Sequence, residues 1–201
     1  IKPKHSYKNF FLAAGRFTRQ KNFIYLINEF AKFIKSYPNE KLLIIGEGEL
    51  KKKMQNQINK LSLKNNIKII SNIGAANPLG AAKRILEIAK EQKTRKPKIG
   101  VVVGDDLLEY MTNKEILESP TMEGLDFSNN QITAANVYLG AKPIAKALSK
   151  EADVVVVGRT VDSALALGPL IYEYNWKNED LDLLGSGTIC GHLLECGAQV
   201  T

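Results

Sequence analysis

Three uninterrupted apolar runs constrain this chain more than any other feature: Leu42-Leu43-Ile44-Ile45, Ile99-Gly100-Val101-Val102-Val103 and Val154-Val155-Val156-Val157. None alternates with polar residues. Successive side chains of a strand point to opposite faces, so a strand with one wet face alternates. A run without alternation is covered on both faces, the condition of parallel strands between two layers of helix.

The stretches between the runs have helical period, which completes a βα pattern. Strands are predicted at 9–14, 41–46, 67–71, 98–103, 132–136 and 153–158. Helices are predicted at 21–35, 49–61, 79–91, 141–149, 163–172 and 181–199. The stripe Phe23, Leu26, Ile27, Phe30 and Ile34 gives the first helix its apolar side. Asn77 followed by Pro78 reads as an N-cap and a first helical residue. Between Met111 and Gln131 the sequence is polar and aperiodic, a loop or short hairpin. The expected fold is α/β, a mostly parallel sheet with helices on both faces in a Rossmann-like three-layer arrangement. No Pro/Gly/Ser linker interrupts the chain, so a continuous sheet is favoured over two flexibly joined beads.

Charge divides the chain unevenly. Residues 1–71 hold 15 Lys/Arg against 4 Asp/Glu, and residues 72–201 hold 13 against 17. The run Lys51-Lys52-Lys53 has no interleaved aromatic residues, so a stacking platform for nucleic acid is not expected. Cys190 and Cys196 lie six apart in one helix and diverge, which argues against a mutual disulfide and for a reducing, cytoplasmic setting. No apolar run reaches the roughly 18 residues of a membrane span. The first residue is Ile1 and not methionine, from which a processed chain or a fragment is expected.

The segment Ala14-Gly15-Arg16-Phe17-Thr18-Arg19-Gln20-Lys21 closes a strand and opens a helix. In parallel sheets ligands sit at the carboxyl ends of the strands, where helix amino termini offer amides to anions. Arg16 and Lys21 can both reach one diphosphate there, Arg as a fork and Lys as a point charge. GRFTRQKNFIYLINEF followed by KLLIIGEGEL resembles the start of the nucleotide-sugar-binding lobe of GT-B group-1 (family-four) glycosyltransferases. The resemblance covers residues 11–70. It implies that Arg16 and Lys21 bind the donor diphosphate and that Gly46 lies near the nucleotide, with Gly15 a further substrate-binding candidate in the same turn. The family's later pair of glutamates is not found: Glu115 and Glu123 have its spacing of eight, but ILESPTM between them lacks its context.

Small residues follow the later strands: Asn72-Ile73-Gly74-Ala75-Ala76-Asn77, Gly104-Asp105-Asp106 and Gly158-Arg159-Thr160-Val161-Asp162. Glycine permits tight exits and close approach of a ligand, while Asn and Asp cap the next helix. Three such turns on one edge would form a common rim. Asp105, Asp106 and Asp162 also fit as simple caps. Arg159, set between Val157 and Val161, is expected to pair with Asp153, Asp162 or an acidic substrate. His192, Glu195 and Cys196 share one helix face, as base, acid and nucleophile or as a core histidine with a glutamate partner. Three such residues in one turn do not make a zinc site, and neither a metal nor a cofactor is expected.

SNIGAANPLGAAKRILEIAKE, GVVVGDDLLEYM, AANVYLGAKPIAKAL, ADVVVVGRTVDSALALGPLIYEYNW and CGHLLECGAQVT together resemble the acyclic terpene utilisation (AtuA-like) family over residues 71–201. The resemblance implies an α/β domain of bacterial acyclic terpene catabolism. Its implied pocket comprises Asn72, Gly74, Asn77, Asp105, Asp106, Asn136, Tyr138, Arg159, Asp162, His192 and Glu195. The expected organisation is therefore composite, 1–70 from one ancestry and 71–201 from the other, each truncated. Three functions follow: a domain binding a small acidic, acyl or terpenoid molecule; a glycosyltransferase fragment binding a nucleotide sugar; or a chimeric or recombinant protein without complete catalytic activity.

Overall fold

The computed structural model describes residues 10–46, 48–63, 66–75, 77–91, 93–119 and 132–196. Five parallel strands form one sheet: β1 (Phe10–Ala14), β2 (Lys41–Ile45), β3 (Ile67–Ser71), β4 (Ile99–Val102) and β5 (Val154–Val157), in the order β1-β2-β3-β5-β4. The two halves of the sequence thus share a sheet. Their seam is the pairing of Ile69 with Val154, Ile70 with Val155 and Ser71 with Val156.

The helices are α1 (Phe23–Phe33), α2 (Lys51–Lys60), α3 (Pro78–Glu91), α4 (Asn113–Leu117), α5 (Lys142–Ser149), α6 (Ala164–Tyr174) and α7 (Leu181–Cys196). On one face Phe23, Ile27 and Phe30 of α1 and Met54 and Ile58 of α2 pack on Leu42, Ile44, Ile67 and Ile69. On the other, Ile144 and Leu148 of α5 and Ala164–Ala166 of α6 pack on Leu43, Ile45, Ile70, Val155 and Val157. Alternate residues of the same apolar run therefore feed opposite cores, which is why the runs show no alternation. Helix α3 lies on the α1–α2 face, with Ile85 and Ile88 turned toward Ile69 and Val154. This placement is what right-handed crossovers require: connections leading toward β4 cover one face, and the return from β4 to β5 covers the other.

Element ends follow local chemistry. Helix α1 begins at Phe23 and not at Lys21, because Asn22 takes a left-handed conformation (φ 47°) that no helix interior accepts. Helix α6 stops at Asn175, also left-handed. The predicted strand at 132–136 is corrected: that segment makes only one isolated bridge, Asp106 with Asn136, and Leu139 just beyond it makes another with Thr160. The predicted loop from Met111 contains α4, opened by a capping box in which Thr112 and Glu115 bond each other's backbone N–H. Residues 120–131, the rest of that loop, lie outside the described residues, as does the predicted helical end at 197–199.

Candidate functional site

Strand β3 leads out to α3 on one face, whereas β5 leads out to α6 on the other. Between their carboxyl ends the outgoing chains diverge, and this topological switch point is where parallel α/β sheets open a crevice. Ser71 ends β3 fully buried, its hydroxyl accepting from the Ile73 amide (3.3 Å). Gly74 is packed so closely that an added Cβ would lie 2.7 Å from Pro78 and 2.8 Å from the Val157 carbonyl oxygen. Asn77 caps α3, its Oδ1 accepting from the Gly80 N–H at 2.7 Å.

Beyond the end of β5, Asp105 is the organising residue. It is 4% exposed, and its Oδ2 accepts from the Arg159 backbone N–H at 2.8 Å. Its carboxylate fills the space where a side chain on residue 158 would stand, so only glycine fits there. The segment Ala135–Leu139 is strapped across this arrangement. Leu107 N–H donates to the Ala135 carbonyl, Val137 N–H and Asn136 Nδ2 to the Asp105 carbonyl, and Leu139 N–H to the Arg159 carbonyl. The Thr160 hydroxyl donates to the Leu139 carbonyl at 2.6 Å.

Asp106 is a cap, accepting from the Leu108 N–H at 3.0 Å. The Tyr110 hydroxyl is pushed above the usual tyrosine range, first by the charge on Glu109, then by desolvation, a hydrogen bond to Glu109 and the charges of Asp105 and Asp106. The rim is thus negative beside β4, while the exposed Arg159 adds positive charge after β5.

The same edge carries an apolar apron that sequence reasoning missed. Of fifteen large apolar side chains exposed among the described residues, seven follow β3, β4 or β5 at this edge: Leu79, Val103, Leu108, Tyr110, Val137, Tyr138 and Val161, while Ile73 lines the groove between α2 and α3. Their signal in the sequence was the apolar residue beside each polar turn residue.

The structure brings Asp105, Asp106, Asn136, Tyr138, Arg159, Asn72, Gly74 and Asn77 to one edge, but not all as foreseen. Arg159 cannot pair with Asp153. Asp153 precedes β5 at the opposite end of the sheet, where Arg95 (2.6 Å) and Lys68 (3.7 Å) hold it. Asp162 is exposed before α6, whose N-cap Ser163 makes no side-chain capping bond. His192 and Glu195 are exposed on α7, and the side chain of Cys196 lies outside the described residues. Among the described residues no group of three or more His, Cys, Asp or Glu is placed to hold a metal.

Gly15, Arg16 and Lys21 follow β1, two strand spacings or roughly 10 Å from β3, whereas Gly46 follows β2, one spacing away, and its N–H donates to the Ile70 carbonyl at 3.3 Å. Gly15 and Gly46 have φ of 143° and 135°, and a Cβ on Gly46 would collide with the Gly15 carbonyl. The stem of Lys21 runs within 3.6 Å of where a Gly15 Cβ would be. Arg16 and Lys21 are exposed, while Phe17 between them is fully buried and its carbonyl accepts from the Leu50 N–H at 3.0 Å. One turn therefore anchors itself by its aromatic residue and presents its cations.

Residues 47–201 match the family described as acyclic terpene utilisation family protein AtuA. Residues 1–89 match glycosyl transferases group 1, so the two matches overlap from 47 to 89. An uncharacterized glycosyltransferase of Methanocaldococcus jannaschii is 48% identical over 60 residues, which are 30% of this chain and 15% of that protein. No solved structure matches the chain.

Proposed function

Because the chain belongs to the acyclic terpene utilisation family, we propose that its carboxyl-edge crevice between β3 and β5 binds a small, mainly apolar molecule with an acidic or acyl group. The observation that carries this reading is the apolar apron gathered around the switch point. Asp105 fixes the backbone of Arg159 and leaves the guanidinium at the rim, suited to fork onto a carboxylate or phosphate. Asp105 itself is structural in this reading, since its carboxylate is committed to an amide of its own chain.

A second reading rests on the turn at β1: Arg16 and Lys21 beside Gly15 and Gly46 form a diphosphate cradle, and the short identity to a glycosyltransferase supports it. We read the whole as a composite of two ancestries meeting near residue 70, with complete catalysis in neither. The exposed thiol of Cys190 supports a reducing, cytoplasmic setting.

A thermal-shift and calorimetric screen separates the two. A medium-chain acyl compound at a hundred times its Kd should raise Tm by roughly 5–10 °C, and Arg159→Ala should weaken its binding while Arg16→Ala leaves it unchanged. Saturable binding of a nucleotide sugar, abolished by Arg16→Ala, is the outcome expected of the second site; unchanged affinity in that variant rules the cradle out. If Arg159→Ala leaves acyl binding intact, the crevice is not the site.

A further inference from the structure

The sheet ends at β4, whose strand neighbour among the described residues is β5 alone. In a parallel ladder a strand bonds one neighbour through alternate residues. Here the Lys98 carbonyl accepts from the Val154 N–H (3.2 Å) and the Val102 carbonyl from the Gly158 N–H (3.0 Å). The backbone of Lys98, Gly100 and Val102 is thus turned to β5, and that of Ile99, Val101 and Val103 to the open side. Donors and acceptors on that side call for water or for a further strand.

A groove of about 340 Å³ runs along this edge. The chain from Lys98 to Val103 forms its floor, and α5 forms its wall through Pro143, Lys146, Ala147 and Lys150. The helix comes close because Gly100 faces it: a Cβ there would lie 2.9 Å from that of Ala147. Every charged residue lining the groove is a lysine, Lys98, Lys146 or Lys150, and all three are exposed. Among the described residues none of them makes an ion pair. Asp153, which accepts from the Lys98 backbone N–H, is already held by Arg95 and Lys68. Lysines that only blunt an edge against pairing stand on the strand itself. Residues 99–103 carry neither charge nor proline, and two of the three lysines stand on α5 or at its end.

We propose that β4 takes up an extended acidic peptide as a sixth strand. An added strand alternates its side chains between the two faces of the sheet. Gly100 and Val102 are turned to α5, so Ile99, Val101 and Val103 are turned to the other face. Side chains of the peptide on the α5 face meet Lys146 and Lys150 and are carboxylates; those on the other face lie beside Ile99 and Val101 and are apolar and β-branched. A second copy paired antiparallel through the same edge is a poorer occupant, since it would set the lysines of one α5 beside those of the other. The docking uses no residue of the crevice reading above except the exposed Val103 at the end of the groove.

Fluorescence polarisation of the full chain with a labelled, end-blocked peptide of alternating glutamate and valine tests it. Binding should be saturable, and a peptide of alternating lysine and valine should not bind. Lys146→Glu together with Lys150→Glu, both at exposed positions, should weaken binding several-fold. Two further peptides are N-methylated at every glutamate or at every valine. The one whose amides face β4 should lose roughly tenfold or more in affinity, and the other should keep it. Val101→Pro removes an outward N–H while leaving the bonds to β5, and should weaken binding in the same way; the methylated peptides serve if that variant does not fold. Absence of saturable binding overturns the proposal. So does binding on which the two methylations act alike, or which survives reversal of the two lysines. A wild-type chain that sediments as a dimer and becomes monomeric on Val101→Pro would overturn it too, by giving the edge to a second copy.

Discussion

Gly158 and Asp105 form a pair whose geometry decides the rim. A methyl group at 158 would displace the Asp105 carboxylate from the Arg159 amide. Gly158→Ala should therefore cost more than the usual surface change, about 1–3 kcal/mol in denaturant unfolding, whereas Gly104→Ala meets open space and is opposed by its φ of 111° alone. Asp105→Ala should cost a similar 1–3 kcal/mol by leaving the Arg159 N–H without its acceptor, with Asp105→Asn recovering part of it. At this scale the sequence was half legible. Asp106 as a cap follows from its position before Leu107. The bond from Arg159 to Asp105 spans 54 residues, and nothing local distinguishes the buried aspartate from the capping one beside it. Arg159 and Asp153 failed as a pair for a reason available in hindsight: residues on either side of one strand stand at opposite ends of it.

Among the elements, the strands that were continuous apolar runs were found where two-sided burial put them, whereas the weakly apolar 132–136 was not a strand. Helix α4 was overlooked although Thr112-Asn113-Lys114-Glu115 spells its capping box. The Thr112 backbone N–H, and then its hydroxyl, hold the Glu115 carboxyl below the usual glutamate range. A lowered folded-state pKa contributes stability that is present above the unfolded value, about 4.3, and lost as pH falls through the folded one. Helix α4 should fray in acid below roughly pH 4 while α1 and α6 persist, read as a loss of amide protection, relative to the intrinsic exchange rate at each pH, at Ile116 and Glu118. If protection there is unchanged down to pH 3, the capping box does not hold the helix.

For the molecule as a whole, the sequence resembles two families in turn with no linker between the two stretches, and the structure places both in one sheet. What it could not convey was the order β1-β2-β3-β5-β4, because pairing partners far apart in sequence leave no periodic trace. Limited proteolysis should leave Ile67–Ser71 uncut among the first cleavages, since it is an inner strand flanked by β2 and β5; rapid cutting there would mean two loosely joined pieces.

The seam from Ile69–Val154 to Ser71–Val156 makes the two contributions inseparable as independent proteins. Severed between Ser71 and Pro78, each polypeptide would present a raw row of backbone donors and acceptors and fall prey to aggregation. Co-expressed, the same two peptides should rescue one another, reconstituting a soluble species by fragment complementation.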